Sequence, residues 1–369
     1  MKRRILIAPN AFKGTLTAWE AGEIIAKTFE KCSSESSFHI CPIADGGDGT
    51  CELITDYLQL EKITHWTLDP VGRPIQADYG WKADERKAFI DVSAASGLGG
   101  LEFSLQNPKN TSTFGTGVLI HEAIKNGCKS IVLGLGGSAT IDLGLGILQK
   151  LGIIFLDKNG REIPAFSPNF LSRIEHIQVK HPISDIEFEC LCDVSNPFFG
   201  KEGAIPVFGR QKGLEEDEFE SYEMVCEKVI QLLEKKSKKS IKDIGGFGAA
   251  GGIAYGLSFF FDVNMKLGAP FFFDSVQIHE LIQDADLVIT GEGRFDMQSA
   301  KGKGPFELKK LCDNYGKDCL LISSGDAGKE AGFSHFLQLP DLDLINPDVK
   351  LEAKRSLEHT VELFAKNWA

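Results

Sequence analysis

Long hydrophobic runs are absent from this sequence. No apolar stretch approaches the ~18 residues that would span a bilayer, so no membrane-crossing helix is expected. The two aromatic runs, Phe259-Phe260-Phe261 and Phe271-Phe272-Phe273, read as core or hinge packing. The first apolar segment, residues 5–8, stops at Pro9 and is a strand, too short for a secretion signal, which makes the cytoplasm the expected compartment. Positive charge is in deficit: 40 Lys and Arg face 52 Asp and Glu, a formal net charge of -12. A polyanion would be repelled at long range, which argues against general nucleic-acid binding, while local cations can still admit a small anion to a cleft. The one dense basic run, Glu234-Lys235-Lys236-Ser237-Lys238-Lys239, follows an apolar-periodic stretch and reads as a solvated helix end. Cysteines number nine, an odd count, and no second pair at zinc spacing accompanies Cys190 and Cys192, so buried reduced thiols are expected. Also missing are Gly-x4-Gly-Lys-Ser/Thr, Gly-x-Ser-x-Gly and His-Glu-x-x-His. Their absence excludes a standard P-loop, a hydrolase nucleophile elbow and a zincin helix.

What is present is an alternation of short apolar strands with amphipathic helices. At 369 residues the chain is long enough for two domains. Strands are expected at residues 5–8, 38–43, 130–135, 153–156, 187–192, 286–290 and 319–323, most of them running into a glycine-rich turn. Thr17 with Glu20 offers a capping box to the first helix. Residues 65–92 break the pattern with a β-meander. The expected fold class is α/β, with a parallel sheet made of the two ends of the chain. Residues 1–66 and 285–369 form a Rossmann-like domain, and 67–284 an inserted second α/β domain.

Several strand ends carry chemistry. Gly134-Leu135-Gly136-Gly137-Ser138-Ala139-Thr140 lies between a strand and a helix, where backbone N–H groups and the Ser138 and Thr140 hydroxyls can hold an anion. The same segment fits a dinucleotide fingerprint, with Asp157 placed as a ribose-binding acid, so an NAD-dependent dehydrogenase of a small hydroxy acid is an alternative. Asp45-Gly46-Gly47-Asp48-Gly49-Thr50 follows a strand, and its two carboxylates could hold Mg²⁺ or accept a substrate proton. Lys13 follows the first strand and could neutralise phosphate or carboxylate. Asp193, three residues before Asn196, has the base-plus-metal-ligand arrangement of phosphoryl transfer. Further glycine-rich or basic loops lie at Gln211-Lys212-Gly213, Gly291-Glu292-Gly293 and Lys301-Gly302-Lys303-Gly304. Residues 245–252 carry five glycines, which implies close backbone approach to something.

Together these segments resemble bacterial glycerate kinases of the type 1 family over nearly the whole chain. The resemblance rests on Ala8-Pro9-Asn10-Ala11-Phe12-Lys13-Gly14, Ala44-Asp45-Gly46-Gly47-Asp48-Gly49-Thr50, Asp69-Pro70-Val71-Gly72-Arg73-Pro74, Thr113-Phe114-Gly115-Thr116-Gly117, the 133–140 and 192–197 segments, and Ile289-Thr290-Gly291-Glu292-Gly293-Arg294. It implies a Rossmann-like domain carrying a second α/β domain, an active-site cleft between them, and ATP- and Mg²⁺-dependent phosphorylation of D-glycerate. Under that resemblance Lys13 and Arg73 neutralise phosphate and the glycerate carboxylate. Asp45 or Asp193 orients or deprotonates the hydroxyl, and the other helps hold Mg²⁺, with Asn196 beside Asp193. Gly46, Gly47, Gly136, Gly137, Ser138, Thr140, Lys212 and Glu292 bind substrate or phosphate. The implied partners are glycerate and ATP, with no nucleic acid and no membrane, and a homo-oligomer is left open. The family tends to have Asp at the position of Asn10 and Asn-Asp-Gly-Gly where this chain has Ile141-Asp142-Leu143-Gly144. These departures motivate a third reading, a non-catalytic sugar-acid binding protein on a kinase scaffold.

Overall fold

The computed structural model describes residues 3–32, 36–180, 185–296 and 302–368; Lys301 of the basic loop lies outside them. The chain divides into two compact units, 1–45 with 269–369 and 46–268. The seams differ from the expected 66/67 and 284/285. The strand at 61–68 pairs with the meander strand after it, and the Ile278–Asp284 helix packs on the first strand, so hydrogen bonding and packing assign both segments to the other unit.

In the first unit, β1 (Arg3–Ile7) and β2 (Ser36–Ile40) open the chain. The inserted unit then carries β3 (Glu61–Leu68), β4 (Pro74–Lys82), β5 (Lys87–Asp91), β6 (Ser130–Gly134), β7 (Ile153–Leu156), β8 (His176–Val179), β9 (Glu187–Cys192) and β10 (Asp262–Leu267). The chain returns with β11 (Leu287–Arg294), β12 (Cys319–Ser324) and β13 (His335–Leu339).

The first unit is one parallel sheet in the order β13-β12-β11-β1-β2. The apolar runs that read as buried strands form its centre: Ile5, Ile7, Leu287, Ile289, Leu320 and Ile322 share a core with Ile25 and Phe29 of the Ala18–Cys32 helix and Leu357 and Val361 of the Val349–Trp368 helix. The Ala18–Cys32 helix starts where its capping box stands: Thr17 Oγ1 accepts from Glu20 N at 3.1 Å, and Glu20 Oε2 accepts from Thr17 N at 2.9 Å.

The second unit is a mixed sheet, order β10-β9-β6-β5-β4-β3, in which β5, β6, β9 and β10 run parallel and β3-β4-β5 is the antiparallel meander. Its core holds Ile131, Leu133, Phe188 and Phe259, and also Ile141, one of the departures, which is buried. Here one expectation fails. β7 does not join the parallel sheet; it pairs antiparallel with β8 in a separate ribbon. Asp157 caps the turn that follows, accepting N–H from Asn159 and Arg161. The β6-loop-helix-β7 segment is therefore not a dinucleotide-binding βαβ unit, and the dehydrogenase reading loses its geometric basis.

All nine cysteines are free, and all but Cys32 are buried, as expected of reduced thiols. The basic run at 234–239 ends the Phe219–Ser237 helix, with Lys235, Lys236, Lys238 and Lys239 exposed. Among the described residues no helix is long and apolar enough to cross a membrane.

Candidate active site

In an open parallel sheet, ligands bind beyond the strand carboxyl ends where the strand order reverses. In the first unit that point lies between β1 and β11, since β2 flanks β1 on one side and β11-β12-β13 extend from the other. A cavity of about 350 Å³ opens there, its charged and polar lining including Asn10, Lys13, Asp45, Glu292, Arg294, Lys303 and Asp341. Phe12, Leu339, Leu342, Leu344 and Ala353 line it as well.

The backbone fixes each polar group. Beyond β1, Ala8 N donates to Ile289 O at 2.7 Å and Asn10 N to Gly291 O at 2.8 Å, so the loop continues the β1–β11 ladder. Phe12 turns into the core, and the chain reverses over Lys13 and Gly14 (φ 82°) before Leu16 N returns to Phe12 O at 3.1 Å. The anchored phenyl ring and the left-handed glycine leave Lys13 exposed at the cavity. Asn10 Nδ2 donates to Asp45 Oδ2 at 3.0 Å, and Asn10 Oδ1 accepts from Ala11 N at 2.8 Å. The departure at Asn10 thus exchanges a second carboxylate for an amide that clamps the buried Asp45.

Glu292 stands where the β11–β12 register shifts, between Gly291 and Arg294. Such irregularities re-aim side chains. The residue is only 8% exposed, and its Oε1 has no hydrogen-bond partner among the described residues. Burial pushes its pKa up to about 7; Lys303 opposes this, and Asp45 and Asp296 add to it.

The predicted residues of the second unit form a different arrangement. Gly136 and Gly137 pack on Gly47 and Asp48: a Cβ on Gly136 would stand 2.0 Å from Asp48 N. Gly46 N donates to Thr50 Oγ1 at 3.1 Å, and Thr50 Oγ1 donates to Gly47 O at 2.9 Å. Ser138 and Thr140, expected to offer hydroxyls to a ligand, hydrogen-bond within the chain. Both are buried, and the next helix starts only at Leu145, so the loop has no adjacent helix N-terminus. Their partner is Lys212, itself 4% exposed, whose Nζ donates to Ser138 Oγ at 3.2 Å and Thr140 O at 2.8 Å. Lys212 braces the loop from within. Beside it, Asp142 accepts from Thr113 N (2.9 Å), Thr113 Oγ1 (2.8 Å) and Gly144 N (3.1 Å), while burial pushes its pKa up. The glycines of 245–252 do make close backbone approaches, and their partner is the chain itself: a Cβ on Gly251 would lie 2.1 Å from Thr140 O, and Gly246 N and Gly248 N donate to Asn196 O at 3.0 and 2.9 Å.

Arg73 closes the β3–β4 turn, its Nε on Asp69, whose Oδ1 also accepts from Val71 N and Arg73 N. Asn196 donates its amide to Glu202 O at 2.7 Å, and Asp193 follows the end of β9. Among the described residues no group of three His, Cys, Asp or Glu could by itself hold a metal ion. Sequence reasoning passed over Asn10, Asp142, Arg294 and Lys303 as site residues. The signal for Asn10 and Arg294 was their place in strand-end loops already singled out.

Burial pushes the Lys212 amine down from 10.5 to about 7, with Asp142 opposing. A folded pKa below the unfolded one means that folding disfavours the protonated form, so stability carried by this group falls as pH drops from about 10 through about 7. Lys212→Met should therefore melt no lower than wild type at pH 6, yet lose turnover on the order of 10²-fold as the 138–140 loop shifts. Thermal melts at pH 6 and 9 with steady-state kinetics check this; unchanged turnover would refute the brace.

A switch-point cavity lined by three carboxyl groups and three cations belongs to an α/β enzyme that handles small anionic substrates. The sequence profile described as the Glycerate kinase family matches residues 5–369. A glycerate kinase of Halalkalibacterium halodurans is 37% identical over 334 residues, 90% of this chain and 88% of that protein. A glycerate 2-kinase of Escherichia coli is 35% identical over 90% of this chain and 87% of its own length. A Salmonella typhimurium crystal structure assigned as glycerate kinase 2 superposes with a TM-score of 0.83 at 31% identity, covering 100% of this chain and 98% of that one. This chain belongs to the glycerate kinase family.

Proposed function

We propose that the protein transfers the γ-phosphoryl group of ATP to a hydroxyl of D-glycerate. The observation that carries this reading is the mixed cationic and apolar lining of the 350 Å³ cavity. Lys13, Arg294 and Lys303 can neutralise a triphosphate and a carboxylate. The wall of Phe12, Leu339, Leu342 and Leu344 is of no use to glycerate, which bears oxygen on every carbon, but suits an adenine base. In-line phosphoryl transfer asks the protein mainly for positioning and charge neutralisation, and this set of groups supplies both.

Mg²⁺ fits the donor chemistry, because it binds through one or two carboxylates with substrate phosphates and water completing its shell, and needs no all-protein cage. The resemblance implies Asp193 as its protein ligand; Asn196, its amide engaged with Glu202 O, is the weaker candidate. When bound, the ion offsets phosphate charge. The other work falls to the chain: Asn10 holds Asp45 in place, and the glycine loops and Lys212 keep the second unit's strand-end segments rigid.

The test is direct. With MgATP and D-glycerate the purified protein should release ADP and form phosphoglycerate, identified by ³¹P NMR, which also reports which hydroxyl is modified. ADP release at the same rate with and without glycerate would overturn the proposal, and glycerate-induced thermal stabilisation without turnover would favour a binding protein.

A further inference from the structure

The proposed reaction needs a group to receive the hydroxyl proton of glycerate. Asp45 and Asp193 were the candidates legible in the sequence, and Glu292 was expected only to bind substrate or phosphate. The cavity suggests a different assignment. An ionised carboxylate repels phosphate oxygens, so a buried glutamate in the same cavity as Lys13 and Lys303 is better suited to accept from a ligand hydroxyl than to bind phosphate. Glu292 lines the cavity, is 8% exposed, and has an Oε1 that no donor among the described residues satisfies. Buried polar atoms nearly always have partners, and an unpaired one calls for an explanation in function. Asp45, in contrast, already accepts a hydrogen bond from Asn10 Nδ2 at 3.0 Å.

We propose that Glu292 is the catalytic base of this protein, its Oε1 accepting the glycerate hydroxyl proton as that oxygen attacks the γ-phosphorus of ATP. The new O–P bond forms while the bond from the γ-phosphorus to the β–γ bridging oxygen breaks. The bonding pair leaves with ADP, and the proton passes to Oε1 and then to water. Lys13 and Lys303 line the same cavity, so the cations that would neutralise the phosphoryl group stand in one pocket with the base. The raised pKa of Glu292, about 7, suits a base working near neutrality. The register shift beside Gly291 supplies the local reason that a strand residue turns its side chain to the ligand side.

The assignment rests on the kinase reading, and the experiment separates the two. Wild type and Glu292→Gln are compared for ADP formation with MgATP and D-glycerate, for ATP affinity by calorimetry, and for thermal midpoint. Glutamine keeps the shape and removes the charge, so the fold and ATP affinity should persist while kcat falls ~10²–10⁴-fold. A fall smaller than tenfold, or a loss of ATP binding equal to the loss of rate, overturns the assignment; any larger fall with ATP binding intact upholds it. If Glu292→Gln does not fold, Glu292→Asp, which retracts the oxygen by one methylene, must lower kcat at least tenfold, and an unchanged kcat overturns it. Wild type that makes no phosphoglycerate removes the kinase reading itself, a result distinct from an active wild type with an equally active Glu292→Gln.

Discussion

Gly136→Ala should strongly destabilise the second unit. Its Cβ would stand 2.0 Å from Asp48 N, 2.1 Å from Gly47 C and 2.6 Å from Gly47 Cα. All three are backbone atoms, so no side chain can rotate away, and one of the two loops must move by about an ångström. Overpacking of this kind costs typically 1–3 kcal/mol and occasionally more, and with only backbone to displace the upper end is expected. At roughly 2–4 °C per kcal/mol for a domain of this size, the melting midpoint should fall by ~6–12 °C. Turnover should fall with it, because Asp45 is joined to the displaced 46–48 segment by a single peptide bond. Gly49→Ala is the control. Gly49 has positive φ, 76°, but no atom lies within 4 Å of its added Cβ, so only the left-handed backbone penalty of ~1–2 kcal/mol applies. Differential scanning calorimetry of both variants decides the matter. A Gly136→Ala protein melting within 2 °C of wild type, or below Gly49→Ala by nothing, would show that the loops do not meet as described.

The contrast between these two glycines also marks where sequence reading reaches its limit. Both sit in glycine-rich strand-end loops, and the sequence distinguishes neither. The strands themselves were legible because β1, β11 and β12 are short apolar runs bounded by turn residues, and parallel strands buried on both faces look like that. β7 has the same appearance, Ile-Ile-Phe-Leu, yet pairs antiparallel with β8 outside the main sheet. Apolarity reports burial, and partner choice is a long-range property. Distance in sequence explains the site as well. Lys13, Asp45 and Glu292 were visible because strand ends collect function in open sheets, and they do line one cavity. That Lys212 would be a buried brace was not visible, since Lys is normally solvated and its partner, Thr140 O, lies 72 residues away. Asp142 was hidden likewise, its Thr113 partner being 29 residues away. Nor could the sequence tell that the 138–140 hydroxyls face inward, because a hydroxyl in a glycine loop serves a ligand or the loop equally well.

Lys13→Ala should lower kcat/KM by ~10²–10³, the loss typical of removing one preorganised donor from a developing charge, with almost no change in stability. The two halves of that expectation come from different residues. Stability at this turn resides in Phe12, 4% exposed in the first unit's core, and in the backbone bonds between Phe12 and Leu16. Lys13 itself is exposed and contributes little to the fold, so the midpoint should stay within ~2 °C, as for other surface substitutions. Its catalytic weight comes from location, since the turn carries it at the mouth of a cavity that also holds Glu292 and Lys303. Arg294 provides the comparison. It lines the same cavity and bears the same charge, but its side chain is 71% exposed and lies 3.9 Å from Asp341. Water and that carboxylate screen it, so Arg294→Ala should cost about tenfold or less by the same assay. Lys13→Arg should recover only part of the loss, because a planar guanidinium cannot take the place of a compact ammonium at a single point. Steady-state kinetics with ATP and D-glycerate varied in turn, alongside thermal melts, check all three variants. Equal losses for Lys13→Ala and Arg294→Ala would mean that the two cations act through net charge alone, and the turn that presents Lys13 would then have no special part in the reaction.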